Sequence, residues 1–105
     1  MATRAATADS GAVLAMDGAT VLVVDDGEAN VLLLQRLLAL AGAGHVEGVS
    51  DPRLAVERFQ AVSPDIVLLD MHMPWMDGLE VLDALNAVIP PGSLVPIVVL
   101  TADTT

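Results

Sequence analysis

Two apolar runs in this chain each end in aspartate, and that recurrence constrains the fold more than any other feature. The first is Val21-Leu22-Val23-Val24 before Asp25-Asp26, and the second is Ile66-Val67-Leu68-Leu69 before Asp70. A short, unbroken apolar run bounded by polar residues is the pattern of a strand buried on both faces, as in a parallel sheet. Ligands bind at the carboxyl edge of open α/β sheets. Two such strands side by side would bring Asp25, Asp26 and Asp70 into one crevice from distant parts of the chain.

The intervening residues supply helices. Thr20 to Asp25 reads as the first strand. From Glu28 to about Ala41, Val31, Leu34, Leu37, Leu38 and Ala41 recur at helical spacing, and Gly42 is placed to end that helix in the left-handed conformation. Leu32, Leu33 and Leu40 make the same helix apolar over most of its circumference, so it expects cover on more than one side. A weaker strand is expected near His45 to Val49, with His45 itself in a solvated turn. Asp51-Pro52 then serves as cap and first position of a second helix. The strand Ile66–Asp70 leads to a third helix, roughly Leu79 to Val88. Pro90-Pro91-Gly92 marks a loop before a fourth strand, Pro96 to Thr101. Alternating strands and helices imply right-handed crossovers and a parallel sheet.

Convergent carboxylates have a chemical consequence. Two of them about 5 Å apart repel by roughly 3 kcal/mol at an effective dielectric near 20. Three are tolerated only where protonation, a cation or a bound basic group offsets the repulsion. Magnesium suits this role, because it is a hard ion that takes one or two carboxylates and accepts phosphate oxygens as further ligands. An aspartate ionised at neutral pH can attack phosphorus and form an aspartyl phosphate. Positioning and charge neutralisation are most of what that reaction needs.

From about Ala19 to Ala102 the chain resembles the receiver domains of two-component response regulators. The resemblance rests on Asp25-Asp26, on the signature Asp70-x-x-Met73-Pro74-x-Met76-Asp77-Gly78, and on Val98-Val99-Leu100-Thr101-Ala102 at a later strand end. It implies a flavodoxin-like, doubly wound α/β sheet of family strand order 2-1-3-4-5. It implies Asp70 as phosphoacceptor, and Asp25, Asp26 and Asp70 as Mg2+ ligands with the backbone carbonyl of Met71 or His72. Thr101 becomes the phosphate-sensing hydroxyl, and small Ala102 leaves room for the phosphodonor. A sensor histidine kinase or phosphotransfer protein is the implied partner, and the chain is expected to accept a phosphoryl group without turning over as an enzyme. Pro74 and Gly78 would shape the loop. The His72 side chain lacks the companions a transition metal needs, and Trp75 offers a fluorescence reporter beside the site.

The chain departs from this family at one point of chemistry. Receivers place a lysine at the end of a fifth strand, in contact with the phosphoryl group. This sequence has none, and its basic side chains are Arg4, Arg36, Arg53 and Arg58. Residues 19–105 are therefore expected to form an incomplete receiver that ends after the fourth strand and lacks its C-terminal third. Slower phosphorylation and weaker coupling follow from the missing lysine. An exposed apolar edge at Ile97–Leu100 would follow from the missing strand, with a homodimer or swapped oligomer formed through it.

Residues 1–18, with one arginine and no continuous apolar core, read as a disordered tail. A net charge of −10 argues against direct nucleic-acid binding. No apolar stretch approaches a membrane span, and a cytoplasmic location is expected. Two other classes bear on the same residues. One is a phosphorylation-independent interaction or dimerisation module. The other is an aspartyl-phosphate phosphohydrolase, which would want a second acid where His72 stands.

Overall fold

The computed structural model describes residues 3–5, 17–71 and 77–100, the first three by their backbone. Strand β1 is Thr3–Ala5 and β2 is Thr20–Val24; helix α1, Glu28–Leu40, connects β2 to β3, His45–Val49. A 3-10 turn, Pro52–Leu54, opens into α2, Ala55–Val62, which leads to β4, Ile66–Asp70. Helix α3, Gly78–Val88, precedes β5, Ile97–Leu100. All pairings are parallel, and the sheet order is β1-β5-β4-β2-β3.

Apolar residues with period two decide which face each element covers. Leu22, Val24, Val67, Leu69 and Ile97 point to one side, where Ala55 and Phe59 of α2 and Val81, Leu82 and Leu85 of α3 close a buried cluster. Val21, Val23 and Leu68 point to the other side and are covered by Val31, Leu34 and Leu38 of α1. The doubly wound architecture expected from the alternating pattern is therefore present. Burial on both faces is why β2 and β4 contain continuous apolar residues instead of an alternation.

The helix ends follow local chemistry. Gly42 adopts φ +106°; its N–H donates to the Ala39 carbonyl at 3.1 Å and the Ala43 N–H to the Leu38 carbonyl at 3.0 Å. This paired C-terminal closure needs a left-handed residue, which glycine supplies without a Cβ penalty. The Asp51 carboxylate accepts from the Arg53 N–H at 3.0 Å, capping the 3-10 turn that starts with Pro52. That tight turn precedes α2, where one continuous helix from Pro52 was expected. At α3, Asp77 and Glu80 form a reciprocal capping box.

Several expectations change. Within the segment read as a disordered tail, Thr3–Ala5 form a strand beside β5 with Thr3 level with Ile97 and Ala5 with Val99. The edge expected to lie open along the fourth strand is thus paired over three of its four residues, because backbone from far along the chain satisfies it. His45 starts β3 and is not in a turn, although its side chain is exposed. Pro96 precedes the fourth long strand, which runs Ile97–Leu100, and the strand end expected at Thr101 lies outside the described residues. Among the described residues, the wide apolar circumference of α1 is covered on its sheet side, and Leu32, Leu33, Leu37 and Leu40 are exposed.

Candidate functional site

The register of the central strands builds the site. Val24 of β2 pairs with Leu69 of β4, so the next residue on each strand, Asp25 and Asp70, stands at the same level of the carboxyl edge. Asp70 in turn is level with Leu100 of β5. Asp26 follows Asp25 in the turn toward α1. Each of the three aspartates offers a carboxylate oxygen within 4.8 Å of the others.

The three carboxylates differ in surroundings. Asp25 is 6% exposed and is the one buried charged residue among those described. Its Oδ1 accepts from the Gly27 N–H at 2.8 Å, and its own N–H donates to the Val49 carbonyl at 3.0 Å. The side chain is thereby held by its own turn, a local arrangement available to aspartate two residues before a free N–H. Asp26 is exposed and Asp70 intermediate. The Gly27 carbonyl accepts from the Val31 N–H at 3.0 Å, so the Asp25–Gly27 turn and the first turn of α1 are one unit.

The approach of α3 shapes the other wall. A Cβ on Gly78 would lie 2.7 Å from the Met71 Cα and 3.1 Å from the Asp70 carbonyl oxygen. Glycine is required there because the helix start presses on the backbone that follows Asp70. The Met71 N–H donates to the Leu100 carbonyl at 3.3 Å, which carries the β4–β5 ladder one residue past the phosphoacceptor candidate. Asp77 does not join the acid cluster. Its carboxylate accepts from the Glu80 N–H at 2.9 Å and caps α3.

This donor set fits a hard divalent cation. Three carboxylates, with no histidine or cysteine in the cluster among the described residues, favour magnesium or calcium over zinc or copper. Their proximity is a like-charge cluster that a cation relieves. The structure thus brings together Asp25, Asp26 and Asp70, as the sequence reading expected. Thr101, Ala102, His72 and Trp75 lie outside the described residues. The reading missed the Gly27 N–H as the group that fixes Asp25; the short Asp-x-Gly spacing was the signal for it.

Comparison with known proteins agrees with this geometry. The model of the response regulator receiver domain matches residues 21–105. The sensor protein GacS of Pseudomonas syringae pv. syringae is 42% identical over 104 residues, which is 97% of this chain and 11% of that protein. The chain thus spans about a ninth of that relative's length. Among solved structures, chemotaxis protein CheY4 of Vibrio cholerae superposes with TM-score 0.73 at 32% identity, covering 83% of this chain and 71% of that one. A chain of the CheX-CheY-BeF3-Mg2+ complex from Borrelia burgdorferi gives TM-score 0.70 at 26% identity, covering 82% and 63%.

Proposed function

The chain belongs to the response regulator receiver domain family, and we propose that in it Asp70 accepts a phosphoryl group from a histidine kinase or phosphotransfer protein with Mg2+ at the acid cluster. The observation that carries this reading is the convergence of three carboxylates within 4.8 Å at the ends of adjacent parallel strands. The structure similar to this chain from Borrelia burgdorferi is a complex with BeF3 and Mg2+, which supports the same chemistry here.

In this reading an Asp70 carboxylate oxygen attacks phosphorus. The bond from phosphorus to the donor imidazole nitrogen breaks, and its electron pair stays on that ring. Asp25 and Asp26, with Asp70, would hold the metal, and the Gly27 N–H keeps the Asp25 carboxylate oriented for that role. The cation supplies charge neutralisation for the phosphoryl oxygens. The Met71 or His72 carbonyl would complete the ligand set, and Thr101 beside Ala102 would sense the added charge. Acceptance is a single event per chain and not enzymatic turnover. A kinase partner that draws on ATP makes the cytoplasm the setting.

Intact mass after incubation with Mg2+ and a small-molecule phosphodonor tests the proposal. A gain of one phosphoryl group on the wild type, absent from Asp70→Asn, is the expected result. No gain on the wild type would overturn it and leave a phosphorylation-independent interaction module as the better description. Release of more than one equivalent of phosphate per chain would instead indicate a hydrolase.

A further inference from the structure

Strand β3 contributes no carboxylate to the acid cluster, yet one of its glycines lies beneath the helix that leads away from that cluster. Gly48 is level with Val23 of β2 and Val49 with Val24, so Gly48 stands two residues short of the level of Asp25. A Cβ on Gly48 would overlap the Val31 Cγ1 and come within 3.0 Å of the Gln35 Nε2. Val31 and Gln35 are four residues apart and share one face of α1. Glycine at this position lets that face settle on β3, and the Gln35 Nε2, donating to the Val46 carbonyl at 3.2 Å, ties it there.

A methyl group at position 48 has no easy way out. Val31 is buried in the cluster that holds Val21, Val23 and Leu68, and a valine in a helix has one strongly favoured rotamer. The side chain therefore cannot swing aside, and either the start of α1 or β3 itself must shift. Both movements reach Asp25. The Val31 N–H donates to the Gly27 carbonyl at 3.0 Å, and the Gly27 N–H donates to Asp25 Oδ1 at 2.8 Å. From the other side, the Asp25 N–H donates to the carbonyl of Val49, the neighbour of Gly48, at 3.0 Å.

We infer that Gly48 is a positioning residue for the metal site. By leaving room for Val31 it sets the Gly27–Asp25 turn, and with it the aim of the Asp25 carboxylate. This inference rests on the reading of Asp25, Asp26 and Asp70 as the Mg2+ ligands. Loss of a group that orients a ligand lowers metal affinity by about 10- to 100-fold. Gly48 acts through two intermediaries, so the lower end of that range is expected.

Calorimetric titration of the full chain with Mg2+, in sucrose to keep every variant folded, tests this together with the Gly27 amide proton resonance of the metal-free protein. Gly48→Ala should raise the Mg2+ Kd about tenfold and move the Gly27 resonance upfield as its bond to the carboxylate lengthens. Gly48→Ala combined with Val31→Ala gives the new methyl the space of the lost Cγ1, and should restore both readouts. Gly44→Ala is the control, because a Cβ there would lie 2.8 Å from the Gly18 carbonyl oxygen at the far end of β3. It should lower stability and leave the Kd and the Gly27 resonance at their wild-type values. An unchanged Kd in Gly48→Ala, equal weakening in Gly44→Ala, or no recovery in the double variant would overturn the inference alone. A wild type that binds no Mg2+ would overturn the acceptor reading with it.

Discussion

Thr20 and Asp65 grip one another across the β2–β4 pair: the Thr20 N–H donates to Asp65 Oδ2 at 2.9 Å, and the Asp65 N–H donates to the Thr20 carbonyl at 2.8 Å. Five residues further along each strand stand Asp25 and Asp70. The clamp at the amino edge and the acid cluster at the carboxyl edge are thus two readings of the same register, because a parallel ladder keeps equal counts on both strands.

Replacing Asp65 with alanine removes one arm of this clamp and leaves the Thr20 N–H without its carboxylate. The arm is exposed, so the expected loss is about 1 kcal/mol of unfolding free energy. Urea denaturation of Asp65→Ala against wild type measures it. A larger loss would show that the clamp also sets the strand register.

Magnesium should raise stability through the acid cluster. A ligand that binds the folded state alone adds about 2.7 kcal/mol at 100 times its dissociation constant. Asp25→Asn keeps an acceptor oxygen for the Gly27 N–H and removes one negative charge. Its metal-free stability is expected to exceed wild type by about 1 kcal/mol as repulsion falls, and its response to Mg2+ should largely vanish. Thermal unfolding with and without Mg2+, with calcium in parallel, reads both effects.

Gly78→Ala drives a methyl group against the Met71 side chain, which can move, and also against backbone, which cannot, since the Met71 Cα would lie 2.7 Å away. The start of α3 must shift, at an expected cost of about 2 kcal/mol. Phosphoryl uptake at Asp70 should fall with it, because Asp70 and Met71 are the residues displaced. Chemical denaturation and the mass assay on the same sample separate the two losses.

Glu47 of β3 faces Arg58 of α2 and His45. Burial pushes its carboxyl up, but the hydrogen bonds and charge from Arg58, and then those from His45, outweigh burial and hold it below the ordinary value of 4.5. The Arg58 Nε donates to Glu47 Oε2 at 2.9 Å. A depressed carboxylate contributes stability above its unfolded pKa and loses it as pH falls through the folded value. Wild type should therefore lose up to about 1 kcal/mol more than Glu47→Gln as pH drops below 4.5, the modest size reflecting a part-exposed pair. Denaturation midpoints at pH 7, 5 and about 3.5 check the sign.

Much of this molecule is written locally. The runs before Asp25 and Asp70 announce buried parallel strands, and the aspartates that end them announce the site. The capping box of Asp77 and Glu80 is also legible as an acid followed three residues later by glutamate, although Asp77 belongs to the phosphoacceptor signature as well. Other features lie beyond local pattern. Thr3–Ala5 is three residues with no apolar alternation, and its strand conformation comes from the open side of β5. The leucines of α1 follow helical spacing all the way round, so periodicity could not tell that Val31, Leu34 and Leu38 face the sheet while Leu37 faces outward.

The pairing of β1 with β5 joins residue 3 to residue 97. Few contacts span so much chain, and the entropy of closing such a loop must be met before three short pairings repay it. The central strands β2, β3 and β4 have no such delay. During synthesis Thr3–Ala5 leave the ribosome long before β5 exists, so they settle into the sheet later than the strands that follow them in the chain.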